Sequence, residues 1–174
     1  GGILVTGSIT RSSALSTSIV NFNGGTMKAA TNSAGFLDVT SANVLAGGAK
    51  IHTNTYDMGI SQALLHDSGL GASPDGGLTK EGTGTLKLSG ANTYTGGTTV
   101  NTGTLLVNNS SGSGTGTGSV TVVSGATLGG TGSLTGAVTV TGKIAPGDGG
   151  IGTLNTGAVT WNGAASAGVN TDWT

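Results

Sequence analysis

Cysteine is absent from the 174-residue chain. That excludes disulfide staples and thiolate metal sites, and it suits a chain that crosses a membrane unfolded. Charge is scarce: six Lys plus Arg face seven Asp plus Glu, for a formal net charge of -1. No basic stripe is available to neutralise a phosphate backbone, so nucleic acid and other polyanions are excluded as partners. The chain is nevertheless 34% hydrophobic, unlike polar, highly charged disordered segments. Long apolar runs are missing. Stretches such as Ala63-Leu64-Leu65 are far too short to span a bilayer, so no transmembrane segment is expected in this piece. Proline occurs only at Pro74 and Pro146, and no collagen-like Gly-X-Y register holds. The start, Gly1-Gly2, has no initiator Met, basic stretch or apolar signal core. We read the chain as a fragment or processed segment of something longer.

What the chain has is glycine, 36 residues of it, set among Ser, Thr and Asn between short aliphatic bursts. That is the composition of many short strands joined by tight turns. Gly84-Thr-Leu-Lys-Leu88 returns as Gly103-Thr-Leu-Leu-Val107, then more loosely as Gly125-Ala-Thr-Leu128 and Gly142-Lys-Ile-Ala145. The steps are about 19, 22 and 17 residues, a period that indicates stacked coils. A second ladder keeps the same period: Val120-Thr121-Val122, Val138-Thr139-Val140 and Val159-Thr160-Trp161. Period-2 alternation means strands with one buried face. Two ladders with one period imply that each coil supplies strands to at least two sheets.

The expected fold is all-β, a parallel β-helix with coils of about 20 residues. Stacking at about 4.8 Å lets each backbone N–H and C=O pair with the coil above or below. Eight or nine coils would use the whole chain. The inner column should hold Leu86, Leu88, Leu105, Val107, Val120, Val122, Leu128, Val138 and Val140, with Lys87 and Thr139 exposed. Residues 77–174 are expected to form regular repeats. Residues 1–76 form less regular coils of the same continuous solenoid, with strand centres at Ile19-Val20, Met27, Phe36-Leu37, Val44-Leu45 and Lys50-Ile51. Gly25-Thr26-Met27 and Gly48-Ala49-Lys50-Ile51 are matched to the Gly-Thr-Leu coil start. Ser61–Gly69 is expected as a loop or single turn, part of a protrusion near 61–76. The run Ser110–Gly118, almost pure Gly, Ser and Thr, is expected as a wide turn bulging from one coil.

Gly77–Asn108 closely resembles the autotransporter-associated β-strand repeat. The resemblance rests on Gly82-Thr-Gly-Thr-Leu-Lys-Leu-Ser-Gly-Ala-Asn-Thr-Tyr-Thr-Gly-Gly-Thr98. Gly114–Thr156 looks like the stretch that commonly follows it, and residues 1–76 resemble the variable strand-rich region that precedes it. The resemblance implies a right-handed parallel β-helix in a secreted or surface-exposed bacterial passenger, with the repeat aiding export. No membrane barrel, protease or adhesin module is visible.

No catalytic, cofactor-binding or metal-binding residues are assigned, and no cofactor is expected. The histidines are His52 and His66. Neighbours His66 and Asp67 point to opposite sides of an extended chain and do not chelate one ion easily. Polysaccharide-cleaving β-helices need carboxylates clustered on adjacent coils. Here Asp38, Asp57, Asp67, Asp75, Glu81, Asp148 and Asp172 are scattered. Asp67 and Asp75 flank one loop, taken as solvated, and Asp148 is taken as a turn residue after Pro146. Uneven Thr-x-Thr spacing argues against an ice-binding face. Tyr56, Tyr94, Trp161 and Trp173 are too dispersed for a glycan platform. The function expected is a stalk, spacer or fibre unit, with an adhesin-like surface for cells or glycans as the alternative. Without a capping helix at Gly1–Thr10 or Ala164–Thr174, continuation of the chain or head-to-tail stacking into fibres is expected.

Overall fold

The computed structural model describes residues 1–162. Among them the chain winds into a parallel β-solenoid of about 7 turns. Each turn passes three faces. The first is an eight-stranded sheet in which Ile3–Thr6, Thr26–Ala29, Ala49–His52, Leu78–Glu81, Thr98–Val100, Val120–Val122, Val138–Val140 and Val159–Trp161 pair in order. The second stacks Met58–Ile60, Thr85–Leu88, Thr104–Val107, Thr127–Gly130 and Lys143–Pro146. The third stacks Ile19–Phe22, Ser41–Val44 and Leu64–His66. Ile9–Thr10 and Leu37–Asp38 form a separate two-stranded pair. Every pairing between these strands is parallel.

The alternation sets the register. Leu86 stacks on Leu105 and Leu105 on Leu128, while Val120 stacks on Val138. All nine residues expected in the inner column are buried. Lys87 and Thr139 face outward and are half-buried. Tight corners make the coils this short. Gly82 and Gly103 adopt φ of 79° and 69°, and a Cβ at either would strike the backbone of an adjacent coil.

Several expectations are corrected. The turns number about seven rather than eight or nine, because the early coils take up more chain than the later ones. Lys50 lies under Thr79, whereas Thr121 lies under the much nearer Thr139. Gly25-Thr26-Met27 and Gly48–Ile51 belong to the first face, with the Val-Thr-Val ladder, and not to the Gly-Thr-Leu face. Leu64–His66 is a strand with Leu64 buried, and only a short 3-10 turn follows at Ser68–Leu70. Packing against Ser41–Val44 outweighs the local helical preference there.

Ser110–Gly118 does not bulge. Ser110–Gly112 is exposed, but Ser113–Gly116 is buried. The Ser113 carbonyl accepts from Asn92 N at 2.8 Å, Thr117 N donates to Tyr94 O at 3.0 Å, and Gly114 N donates to Ser133 O at 2.8 Å. The segment is the third face of its coil. Its glycines permit close backbone approach: a Cβ on Gly116 would collide with Tyr94 O.

Candidate functional site

The notable side chains of this solenoid are polar groups at its corners. Lys80 occupies an inward position between Ile51 and Val100, because Leu78-Thr79-Lys80 alternates in, out, in. Its side chain is fully buried. The ammonium donates to Thr53 Oγ1 at 3.0 Å, Glu81 O at 3.1 Å, Gly82 O at 2.7 Å and Thr102 O at 3.0 Å. Those oxygens come from three successive coils, and no carboxylate is among them. Burial pushes the amine down to about 8, with the nearby Glu81 charge opposing.

Asn92 makes a similar bridge between the second and third faces. Its Oδ1 accepts from Leu64 N at 2.8 Å in the coil before, and its Nδ2 donates to Gly114 O in the coil after. Tyr94 is fully buried beside it, with its hydroxyl 2.6 Å from Thr98 Oγ1. Burial raises its phenol above the ordinary range.

Asp75 sits where the 67–77 connection rejoins the first face. The solvated-loop reading is corrected here: the residue is only 5% exposed. Gly77 N and Gly96 N donate to Oδ1 at 2.9 and 2.8 Å. Thr95 N and the Thr95 hydroxyl donate to Oδ2 at 2.7 and 3.2 Å, and His66 Nδ1 lies 2.8 Å away. Burial works against the charge, but the donors from Thr95, His66, Gly96 and Gly77 outweigh it and hold the carboxyl below its usual range. Asp75 therefore pairs with His66 rather than approaching Asp67. His66 is raised by its bond to Asp75 first and by Gly71 O second; burial opposes, and the charges of Asp75 and Asp67 assist.

Asp75, His66 and Thr95 lie within hydrogen-bond distance of one another. His66 Nδ1 faces Asp75 and Nε2 faces Gly71 O at 3.1 Å. The Thr95 hydroxyl also lies 3.1 Å from Nδ1, so the ring is held on both sides. The Thr95 hydroxyl accepts from Asp75 N at 3.1 Å and donates back to Oδ2. The arrangement clasps a loop to the coil.

The other named residues lie apart. His52 Nδ1 accepts from Asn54 N at 3.0 Å. Asp148 is not a simple turn residue: its loop folds back over the second face, where Oδ2 lies 2.6 Å from Lys87 Nζ and accepts from Asn108 Nδ2 at 2.7 Å. The Lys87 bond, with help from Asn108 and the lysine charge, lowers its pKa against slight desolvation. An open groove of about 410 Å³ runs beside it, bordered by Asp57, Thr85, Lys87, Leu106 and Asp148. Tyr94 is buried and Tyr56 partly so, and Trp161 stands on the first face at the last described coil. Asp172, Trp173 and the expected uncapped end Ala164–Thr174 lie outside the described residues. Among the described residues, no group of three or more His, Cys, Asp or Glu side chains is placed to hold a metal ion. No described helix is long and apolar enough to cross a membrane. Sequence reasoning missed Lys80 and Asn92. The alternation from Leu78 already placed Lys80 inside, and Asn92 follows Gly90-Ala91 at a corner.

Parallel coils cornered by glycine and fastened by buried polar side chains define a β-solenoid segment. Residues 78–107, which hold Lys80, Asn92 and Tyr94, match the passenger-associated-transport-repeat family. The chain is 44% identical over 78 residues to the adhesin BmaC autotransporter of Brucella suis biovar 1 (strain 1330), covering 44% of this chain and 2% of that protein. It is 45% identical over 81 residues to an extracellular serine protease of Serratia marcescens, covering 46% of this chain and 7% of that protein. The chain thus spans a small part of both curated relatives. No solved structure matches it.

Proposed function

We propose that the chain is a structural segment of a secreted or surface-exposed passenger, acting as a rigid stalk, spacer or fibre unit and aiding export. The observation that carries this reading is the unbroken eight-stranded parallel sheet from Ile3 to Trp161, joined to the passenger-associated repeat at 78–107. Stacked coils make a rod whose order spreads from neighbour to neighbour. A protease activity belongs to the Serratia marcescens relative, and its small coverage gives no reason to transfer it. In our reading residues 1–76 and 77–174 are parts of one continuous solenoid within a longer chain, without nucleic-acid partners.

The first strand supports a stacked neighbour. Leu4 stacks on Met27 in the inward file, yet it is 51% exposed. Such an uncovered strand invites another coil, from the same chain or from a second copy. Deleting 78–107 in the exporting parent tests the export role. Undiminished surface display would refute it, and small-angle scattering showing a compact rather than elongated particle would refute the rod.

A second reading, an adhesin-like surface, is favoured by the groove beside Asp148 and the name of the Brucella suis relative. A glycan screen with Lys87→Ala as control tests it.

A further inference from the structure

Neighbouring coils of this chain look alike to one another. Thr85–Leu88 pairs with Thr104–Val107, and both read as a threonine followed by alternating inward aliphatics. A slip of two residues between such strands keeps every aliphatic side chain facing inward, so hydrophobic burial alone discriminates weakly against it. Glycine-rich connections, such as Gly96-Gly97 and Ser110–Gly112, can take up the displaced length. The stack needs something that has only one correct partner.

We propose that Lys80 and Asn92 are register-setting residues, which select the alignment of the coil that runs from Leu78 to just before its stacking partner Thr98 against both neighbours. The inference deepens the structural reading above. Lys80 Nζ takes Thr53 Oγ1 from the coil before and Thr102 O from the coil after. Asn92 takes Leu64 N from the coil before and Gly114 O from the coil after. Both side chains are buried at different corners, so one slip breaks both sets of bonds. A two-residue slip would move Lys80 away from its native neighbours Ile51 and Val100 and carry its ammonium off Thr53 Oγ1 and Thr102 O, leaving only Glu81 O and Gly82 O of its own coil. A buried charge stripped of half its acceptors is penalised, whereas a displaced valine is not. Polar residues in apolar seams are best attested in this role of fixing register.

The test uses the full 174-residue chain, which has no native cysteine to interfere. Thr79 and Thr99 are register partners on the outer surface. Asn101 lies two residues further along the same surface, a diagonal distance that disfavours a disulfide in the native alignment. Double variants Thr79→Cys with Thr99→Cys, and Thr79→Cys with Asn101→Cys, are refolded reduced and then oxidised. In the native background the first pair should cross-link and the second should not. Adding Lys80→Met should raise the off-register yield roughly tenfold, the size expected when a charged hydrogen-bond set no longer opposes the slip. Asn92→Leu should act in the same direction. Off-register yields unchanged by both substitutions would overturn the proposal. So would failure of both variants to fold, since the residues would then be supplying stability and not alignment. The readout stands on the purified chain, so a failed export assay leaves it intact.

Discussion

The coils before residue 77 and the two that follow solve the same packing problem differently. The earlier coils fill their interior with Phe22, Met27, Phe36, Leu37, Val39 and Val44. Their lengths vary, and the step from Lys50 to its partner Thr79 is far longer than the step from Thr26 to Lys50. The two coils that start at Leu78 and Thr98 hold Leu78, Leu86, Leu88, Val100, Leu105 and Val107 inside, and set Lys80, Asn92, Tyr94 and Thr98 among them. Large apolar side chains tolerate variable coil lengths because burial has no direction. Buried polar groups do not, because each bond fixes a distance and an angle. Regularity and internal polarity therefore go together.

The largest effect expected is at Leu88. Replacement by Asp places an unpaired carboxylate in the dry column and should destabilise the chain by several kcal/mol, about 4 or more. The same change at half-buried, outward Lys87 should cost well under that, roughly 1 kcal/mol or less. Denaturant unfolding of both variants checks it; equal losses would break the assigned register.

Next is Asp75→Ala, which strands the amides of Gly77, Thr95 and Gly96 and the His66 ring. A loss of about 3 kcal/mol is expected. Asp38→Ala, which removes a surface pair with Arg11 at 2.9 Å, should cost about 0–1 kcal/mol. Comparable losses would show that burial does not separate the two carboxylates.

The pH dependence is smaller and has a definite sign. Lys80 titrates at about 8 in the fold against an ordinary 10.5. Between those values the unfolded chain binds one more proton, so stability rises with pH, by at most about 1.4 kcal/mol per unit. Above about 10 the raised Tyr94 reverses the trend, since the unfolded phenol ionises first. The His66–Asp75 clasp behaves otherwise. Its contribution falls away in acid, as pH drops through the lowered Asp75 value, and His66's share is lost as pH rises through its raised value. Urea midpoints from pH 7.5 to 10 should climb in the native chain and flatten in Lys80→Met. Parallel profiles would contradict the assignment.

The inner column was legible from residue 77 on because Gly-Thr-Leu and Val-Thr-Val alternate cleanly at one period. Coil starts at Gly25 and Gly48 were misassigned because Thr-Met-Lys and Ala-Lys-Ile alternate like either ladder, and only long-range pairing separates the faces. Ser113–Gly116 looked like an exposed turn because its burial comes from backbone contact with Tyr94 and Ser133, which composition does not encode. The Asp75 clasp joins residues as far apart as 66 and 96, and no local pattern marks it. Lys80 was readable from its alternation with Leu78, but a lysine is ordinarily assigned to the surface.

Native-state hydrogen exchange tests most directly the claim that polar fastening makes the coils between 78 and 107 the firmest part of the rod. The slowest amides should be those of Leu86, Leu88, Val100 and Leu105, with Ile3–Phe22 exchanging orders of magnitude faster, as uncovered end coils do. Slowest exchange among Phe22–Val44, or uniform protection from Ile3 to Val140, would contradict it.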